Sequence, residues 1–241
     1  MDNGSELKKA KQGFALLYEV SRAISSNVYL EEILSLVVGL TAELMDSKIC
    51  SLMLLDEKKQ ELIIKVTQSL SEKYRTKPPI KLGESVSGRA VKEKKPIMIL
   101  DVAQEAAYRY KDIAREEGLK SMISVPMMIK SRVVGVINCY TAQLHRFSDE
   151  EVKTLAGVAN QAAVAIENTH LRAEKVAAEE ALEVRKKVER AKSILMRQYQ
   201  ISETEAFRRL QKQSMDQRYS IKQIAEAVIV SEALKEEKKR K

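Results

Sequence analysis

The chain has 241 residues, of which 44% are apolar and 32% are charged, and it contains no tryptophan. This is the composition of a folded intracellular protein with one large or two modest domains. The N-terminus has no apolar signal region, and no apolar run reaches the roughly 18–20 residues of a membrane span, so we expect a cytoplasmic protein. Cys50 and Cys139 lie in apolar strand-like runs and are expected to be buried free thiols.

The net charge of +8 is concentrated toward the C-terminus. From Leu171 onward the chain has 18 Lys or Arg residues against 12 Asp or Glu, a net of +6, whereas the rest contributes only +2. A basic C-terminal third predicts a polyanionic partner. The alternative is that residues such as 239–241 form only a solvated basic tail.

Up to residue 140, the spacing of apolar residues predicts a mixture of amphipathic helices and short strands separated by turns. In chain order these are helices at 7–25 and 30–45, strands at 48–55 and 61–67, a short strand and helix at 80–90, a strand at 96–100, a helix at 104–117, and strands at 121–129 and 132–140. Such an order is typical of an α+β fold in which helices pack on an antiparallel sheet.

Several short motifs in this region, in their order and spacing, resemble the GAF domain. They are Gly83–Arg89, Pro96–Asp101, Ser124-Val125-Pro126, Gly135-Val136-Ile137 and Phe147-Ser148-Asp149-Glu150-Glu151. The resemblance covers roughly residues 5–170. It implies a six-stranded antiparallel sheet flanked by helices, a fold that in this family can carry a small-molecule pocket on one face.

A pocket on that face would bind a ligand that the sequence does not identify, and the sequence indicates which residues would line it. The candidates are Arg89, Asp101, Tyr108, Tyr110, Met122 and Ser124. The alternative is that these side chains fill a core and that the domain only dimerises. The cyclic-nucleotide signature of GAF domains is not met, because Asn138 is followed by Cys139 and Phe147 lies too close to Asp149. No cysteine suits bilin attachment and no histidine suits haem, so no cofactor is expected.

One long helix is predicted from Asp149 to about Tyr199, because nothing in this range breaks a helix and Ser148 with Glu151 forms a capping box. At about 1.5 Å per residue it would be about 75 Å long, too long for one small domain to bury. Its later part has apolar residues at alternating steps of four and three, a heptad seam. The seam residues are Ala177, Ala181, Val184, Val188, Ala191 and Leu195. They predict a parallel coiled coil between two subunits; the alternative is that the stripe folds back onto its own chain.

The stretch 189–229 contains neither Gly nor Pro and predicts three helices with corners near 200–201 and 217–219. Capping boxes at Ser202–Glu205 and Ser220–Gln223 mark two helix starts. Its motifs resemble the ANTAR domain, the small helical RNA-binding module of bacterial transcription antiterminators. They are Ala191–Met196, Glu205–Leu210, Ser214-Met215, Ala225 and Val228-Ile229, with Ser193 where the family often has Gly.

The resemblance implies RNA binding, in which loop bases are stacked and hydrogen-bonded while Lys and Arg contact phosphates. In the middle helix, Ala206, Phe207, Leu210 and Ser214 form the predicted inward stripe, and Phe207 is interpreted as a core residue rather than a stacking platform. The predicted phosphate or base contacts are Lys192, Arg197, Arg209, Lys212, Arg218 and Lys222.

Little in the sequence supports catalysis. Neither His145 nor His170 has a partner at a metal-ligand spacing, and no nucleophile or kinase motif is present. We therefore expect a protein that is not an enzyme and that holds no metal.

The two resemblances imply a regulator that, like ANTAR proteins, binds paired stem-loops in nascent RNA and prevents a terminator from forming, under the control of a GAF sensor domain. The heptad seam predicts that this regulator is a homodimer. The alternative is a DNA-binding or protein-interaction regulator with a GAF dimerisation domain and no ligand. The expected boundaries are 5–170 for the GAF sensor, 171–190 for a coiled-coil linker, 191–233 for the ANTAR domain and 234–241 for a basic tail.

Overall fold

The computed structural model describes Tyr18 and residues 30–69 and 71–240, with side chains as far as Leu234 and Lys235. The helix predicted over 7–25 lies outside the described residues except for Tyr18. The chain divides into two compact units, residues 1–170 and residues 171–241. Each unit is described by itself below.

The first unit is a six-stranded antiparallel sheet with helices on its faces, in the strand order β3-β2-β1-β6-β5-β4. This confirms the predicted α+β fold. The strands are β1 Ile49–Asp56, β2 Glu61–Thr67, β3 Ile80–Lys81, β4 Ile97–Ile99, β5 Met122–Ile129 and β6 Arg132–Tyr140. The helices that accompany them are α1 Leu30–Leu44, α2 Glu72–Arg75, α3 Ser85–Glu93, α4 Lys111–Glu116 and the start of α5 Asp149–Tyr199.

One face of the sheet packs against α1 and the start of α5. Successive strand residues point to opposite faces, so Cys50 and Leu52 of β1 contribute to this core while their neighbours face the other way. In α5 the buried positions include Leu155, Val158 and Ala162, spaced three and four residues apart. Burying each such aliphatic side chain contributes roughly 1.5–3 kcal/mol.

The opposite face is covered by α2, α3 and α4 and contains three buried tyrosines, Tyr74, Tyr108 and Tyr140. The Tyr74 and Tyr108 rings meet the Tyr140 ring edge-on, with centroid distances of 6.1 and 6.3 Å. The helix predicted over 104–117 is shorter than expected. Residues 101–110 form turns instead, and Asp101 Oδ1 accepts a hydrogen bond from the Ala103 amide, an arrangement that competes with helix formation.

The second unit consists of the later part of α5 with α6 Glu203–Gln217 and α7 Ile221–Arg240. The capping box at Ser220 forms in full, since the Ser220 amide donates to Gln223 Oε1 at 2.9 Å and the Gln223 amide donates to the Ser220 hydroxyl at 3.3 Å. At Ser202 the hydroxyl accepts from the Glu205 amide, which is the N-cap half of the predicted box. Gln200 and Arg218 take left-handed backbone conformations at the two corners. The core of this unit combines all three helices and contains Val188, Ala191, Leu195, Ala206, Leu210, Ile224 and Ala225.

Gly135 is the position in β6 at which the sheet most clearly requires a glycine. A Cβ built there would overlap the Met53 carbonyl oxygen of β1, and backbone cannot yield as a flexible side chain can. Gly135→Ala should therefore lower the free energy of unfolding by roughly 2–3 kcal/mol, measured by chemical denaturation followed by circular dichroism.

Gly39 in α1 provides the matched control, because no described atom lies within 4 Å of a Cβ built there. Gly39→Ala should raise the free energy of unfolding by roughly 0.5–1 kcal/mol through helix propensity. Equal stability of Gly135→Ala and wild type would show that β1 and β6 do not pair in this register.

Candidate nucleic-acid interface and sensor face

Exposed cations surround the two corners of the second unit. Arg208 and Lys212 lie one turn apart on the outward face of α6, opposite the buried Ala206 and Leu210. Arg218 occupies the left-handed position that ends α6, and Lys222 lies in the first turn of α7 with its side chain exposed. Within the described part of the chain, Lys212 and Arg218 form no ion pair.

Lys192 has a different environment from the other predicted contacts. It is only 7% exposed, and its Nζ donates to Glu189 Oε1 at 2.8 Å and to Glu203 Oε1 at 2.6 Å. These hydrogen bonds raise the pKa of Lys192, so its ammonium is charged but already partnered. Because Glu189 lies on α5 and Glu203 on α6, Lys192 joins the two helices, a structural role that the sequence prediction did not give it.

Arg197 and Arg209 are exposed but engaged. Arg197 pairs with Glu232 of α7 at 2.8 Å. Arg209 lies 3.8 Å from Glu205, and its guanidinium lies 4.8 Å from the centroid of the Tyr199 ring, a cation–π contact. That the six predicted residues contact RNA stays a prediction. Among the six, Lys192 alone is buried with hydrogen bonds to two carboxylates.

Exposed aromatic rings accompany these cations. Tyr199 and Tyr219 are more than half exposed, and Met215 is the most exposed large apolar side chain of α6. Phe207 was interpreted as a core residue, but it is 37% exposed and does not belong to the buried cluster of the second unit. Ala206 and Leu210 occupy the side of α6 that faces the core of the second unit, so the Phe207 side chain lies toward solvent. Tyr199 was missed by the sequence argument, although an aromatic residue just before a helix corner was the available signal.

The predicted dimer seam divides into two parts. Val188, Ala191 and Leu195 are buried in the core of their own unit, as in the alternative in which the stripe folds back onto its own chain. Val184 packs at the edge of that core. Ala177 and Ala181 lie in the segment 171–183, in which every side chain is exposed. Contact between two subunits therefore stays a prediction for this exposed segment. Val188, Ala191 and Leu195 cannot make that contact while they are buried in their own unit.

The predicted ligand-pocket residues of the first unit do not all meet. Tyr108 and Met122 are buried in the cluster with Tyr74 and Tyr140, which is the filled-core alternative. Tyr110 is half-buried, and its hydroxyl donates to the Pro78 carbonyl at 2.8 Å.

The two charged candidates lie outside that cluster. Arg89 is partly exposed and lies 3.5 Å from Glu93 in its own helix. Asp101 is also partly exposed and caps its own turn through the Ala103 amide. No hydrogen bond or ion pair links either one to the buried candidates in the part of the chain that is described. The binding role of the six residues stays a prediction.

Ser124, the sixth candidate, belongs to a buried polar cluster under α3. Asn138 Oδ1 accepts hydrogen bonds from Ser124 Oγ at 2.5 Å and from Ser87 Oγ at 2.9 Å. The Asn138 amide nitrogen is buried and has no hydrogen-bond partner among the described residues. Leaving such a donor unsatisfied costs roughly 1–3 kcal/mol, and orphaned groups of this kind concentrate where a protein has a function. Polar residues interrupting apolar strands were the sequence signal for this cluster.

Lys77 is a second buried polar group on this face that the sequence argument missed. It is 9% exposed, and its Nζ lies 3.8 Å from the Tyr74 ring centroid and 5.4 Å from that of Tyr110. Burial lowers the pKa of Lys77 from its usual 10.5 to about 7. The two rings partly compensate for lost hydration, since a cation is attracted to an aromatic face.

The cysteines and histidines have structural surroundings. Cys50 and Cys139 are buried free thiols, as expected, with 3.7 Å between their sulfur atoms. His145 contacts Glu151 at 3.2 Å and stacks edge-on against Phe147. In residues 30–69 and 71–240, no three or more His, Cys, Asp or Glu side chains gather in a way that would hold a metal ion. Over the same residues, no helix has both the length and the apolarity needed to cross a membrane.

The first unit is thus a helix-flanked antiparallel sheet, and a small basic helical unit follows it along the chain. Residues 29–167 match the GAF domain family and residues 177–229 match the ANTAR domain family. The chain belongs to the GAF domain family, and an ANTAR domain follows its GAF domain. Both resemblances seen in the sequence are thus confirmed. This pair of domains indicates a regulator in which a GAF sensor domain is joined to an ANTAR domain.

Curated relatives are similar to about two thirds of this chain. The Escherichia coli K12 protein named phosphoenolpyruvate-dependent phosphotransferase system is 22% identical over 157 residues, which are 65% of this chain and 21% of that protein. The methyl sulfide methyltransferase-associated sensor of Methanosarcina acetivorans is 24% identical over 169 residues, 68% of this chain and 17% of that protein. The chain therefore spans about a fifth of the length of these relatives.

Solved structures agree on the fold. The GAF domain of a phosphoenolpyruvate-protein phosphotransferase from Coxiella burnetii is 25% identical, with a TM-score of 0.61 over 69% of this chain and 98% of that one. Free methionine-R-sulfoxide reductase from Neisseria meningitidis is 18% identical, with a TM-score of 0.59 over 68% and 93%. The second similarity shows a shared fold alone.

The lowered pKa of Lys77 predicts a specific pH dependence of stability. Below pH 7 the amine is protonated in both the folded and unfolded chain, and the full cost of burying the charge is present. Above pH 7 the folded chain releases the proton while the unfolded chain keeps it, so this group makes the fold more stable as pH rises toward 10.5.

Lys77→Met should therefore be more stable than the wild type at pH 6, and this advantage should shrink by roughly 2.5–3 kcal/mol between pH 6 and pH 9. Chemical denaturation at several pH values measures it. Lys58→Met, in the exposed turn between β1 and β2, is the control and should follow the wild type. A pH-independent difference for Lys77→Met would contradict a buried, deprotonating amine.

Proposed function

We propose that this protein is a cytoplasmic transcription antiterminator, whose ANTAR domain binds paired stem-loops in nascent RNA under the control of its GAF domain. The GAF and ANTAR domains support a regulator in which a sensor governs an output domain. ANTAR domains generally bind RNA, which supports the chemistry of the output. Binding would stabilise the stem-loops against the competing terminator hairpin.

The observation that carries this proposal is the pairing of exposed cations with exposed aromatic rings at both corners of the second unit. At the first corner, Arg209 lies over Tyr199. At the second, Arg218 and Tyr219 are adjacent and exposed, and the Tyr219 carbonyl is held by the Ser214 hydroxyl at 2.6 Å. Lysine and arginine bind phosphates, while a flat ring offers a surface on which an unpaired base stacks.

A base stacks more favourably on an aromatic ring whose orientation is already fixed in the free protein. The Arg209 guanidinium fixes the orientation of the Tyr199 ring before any ligand arrives, so less side-chain entropy is lost on binding. Stacking one base on an aromatic side chain contributes roughly 1–3 kcal/mol. Together with the exposed Tyr219 ring at the second corner, the Tyr199 ring would match the few splayed bases of a small hairpin loop.

The main alternatives are duplex DNA binding and protein interaction with a ligand-free GAF dimerisation domain. The exposed rings favour RNA over DNA, because bases in a duplex remain stacked on each other and leave no face for a side chain. The unpaired charges of Lys212 and Arg218 favour a polyanion over an apolar protein partner.

A homodimer follows from the same proposal. GAF domains often dimerise, and every side chain in the segment 171–183 of α5 is exposed. Pairing this segment with a second copy along the heptad seam would cover Ala177 and Ala181. Two ANTAR domains in one dimer would bind two stem-loops of one transcript, and the second binding event would then occur at high effective concentration.

The proposal predicts tight binding of a two-hairpin leader RNA, weaker binding of either hairpin alone and weakest binding of a DNA duplex of equal length. Lys212→Ala and Arg218→Asn should each weaken RNA binding and reduce the slope of log affinity against log salt by about one. Asn suits position 218 because it tolerates the left-handed backbone there. Fluorescence anisotropy at several salt concentrations measures both effects.

Lys175→Ala, on the exposed segment of α5, is the matched control and should keep the wild-type slope. Tight binding of duplex DNA without hairpin preference would sink the RNA proposal. Unchanged slopes in both variants would remove Lys212 and Arg218 from the interface while leaving the rest of the proposal open to test at other positions.

The dimer predicts a defined response to charge on the exposed seam. Wild-type protein should sediment as a dimer at tens of micromolar, and Ala177→Glu with Ala181→Glu should shift it toward monomer, because carboxylates would face each other across the seam. Arg172→Glu, at an outward position of the same heptad, should leave the dimer intact. A monomeric wild type, or an unaffected double variant, would exclude this seam.

A further inference from the structure

The side chain of Lys77 ends against two tyrosine rings on the sheet face that is covered by α2, α3 and α4. Its Nζ lies 3.8 Å from the centroid of the Tyr74 ring and 5.4 Å from that of the Tyr110 ring. Among the described residues, this nitrogen makes no hydrogen bond and no ion pair. The amine therefore has aromatic carbon, rather than a polar acceptor, beside it.

Both rings and the backbone of Lys77 are held in place. The Tyr74 hydroxyl shares a hydrogen bond of 3.0 Å with Ser51 Oγ. The Tyr110 hydroxyl donates at 2.8 Å to the carbonyl of Pro78, the residue that follows Lys77. A residue that precedes a proline is restricted to extended backbone conformations. The amine is thus confined before any partner arrives, which lowers the entropy cost of a reaction there.

Loss of hydration makes this amine a nucleophile near neutral pH. Burial disfavours the ammonium form and lowers the pKa of Lys77 to about 7, so roughly half of the molecules carry a neutral amine with a free lone pair at that pH. Lys73 and Lys192, in contrast, have pKa values that carboxylate partners raise, and they remain ammonium ions. A lysine desolvated in this way is the kind that proteins use to attack carbonyl groups.

The amine is confined but not sealed. Lys77 keeps 9% of its accessible surface. On the same face, the Tyr108 hydroxyl and the Asn138 amide nitrogen are fully enclosed without a partner among the described residues, whereas Lys77 Nζ is not enclosed in this way. A compact electrophile can therefore reach the nitrogen, and a bulky one cannot.

The rings also select the kind of product. Carbon dioxide would convert the amine into a carbamate anion, which the negative faces of the Tyr74 and Tyr110 rings would repel. An acyl donor would convert it into an amide, which is not protonated and would end the cation–π contact. Condensation with an aldehyde gives an imine, whose nitrogen can still be neutral or protonated, as that of the amine can. Its protonated form keeps the contact with the Tyr74 ring.

We propose that Lys77 is a covalent modification site that condenses reversibly with a small aldehyde. The nitrogen lone pair attacks the carbonyl carbon, the carbonyl π electrons move to the oxygen, and a proton passes from nitrogen to oxygen to give a carbinolamine. Loss of one water molecule then forms the C=N bond. The step needs no oxidant or reductant, and water reverses it. The site lies in the first unit and does not depend on RNA binding by the second.

The test uses acetaldehyde as the probe on the full-length protein at pH 7 without RNA, with cyanoborohydride to reduce each imine to a stable ethylated amine. Mass spectrometry of the digested protein gives the ethylation rate of each lysine. Lys77 should be ethylated at least about tenfold faster than Lys58, which lies in the exposed turn between β1 and β2. The two rates should become similar in the urea-unfolded chain, and Lys77→Arg should remove the fast reaction.

Two further arms test access and the class of product. Benzaldehyde should show at least about tenfold less preference for Lys77 over Lys58 than acetaldehyde does, because its ring cannot approach the confined amine. Protein incubated with isotopically labelled bicarbonate and then alkylated with triethyloxonium should carry no trapped carbamate on Lys77.

Three results would each overturn the proposal: equal ethylation of Lys77 and Lys58 in the folded protein, an undiminished preference for Lys77 with benzaldehyde, or a trapped carbamate on Lys77. Because RNA is absent from every arm, none of these outcomes bears on antitermination.

Discussion

A single uninterrupted helix contributes to both hydrophobic cores, and this constraint underlies the rest of the structure. Helix α5 buries Leu155 and Val158 in the first unit and Ala191 and Leu195 in the second. No residue of its 51 is a proline, so the hydrogen-bonded backbone has no chemical break between them. The exposed segment 171–183 lies between the two buried stretches, and its seam residues Ala177 and Ala181 are those that the proposed second copy would cover.

Cations in the second unit fall into two physical classes. Lys192 is buried between Glu189 and Glu203 and stabilises the first corner, because removing it would leave two carboxylates close together without a counter-charge. Lys212 and Arg218 are exposed and make no ion pair among the described residues, so their charge is available to a ligand. Arg209 has features of both classes. Its guanidinium is partnered, because it orients the Tyr199 ring, and it remains exposed on the same surface as that ring.

Periodicity and capping predicted the architecture well, because they are local properties of the chain. The long helix, the corners at Gln200 and Arg218 and the six strands all followed from such patterns. Side-chain partners across helices could not be predicted in this way. The burial of Lys192, the exposure of Phe207 and the assignment of Val188 to an intramolecular core depend on how α6 and α7 pack, which spacing along one helix does not determine. The same limit hid the burial of Lys77, which packs against Tyr110 of a distant segment as well as against its neighbour Tyr74.

The central claim is that exposed rings at the two corners stack on bases of a hairpin loop. Ultraviolet cross-linking of the full-length protein to a two-hairpin RNA, followed by mass spectrometry of the adducts, tests it most directly. We expect adducts between loop bases and Tyr199 or Tyr219, and we expect these adducts to be lost when the loops are replaced by base-paired sequence. Adducts confined to the first unit or to the basic residues after 234, or adducts insensitive to loop sequence, would contradict the account.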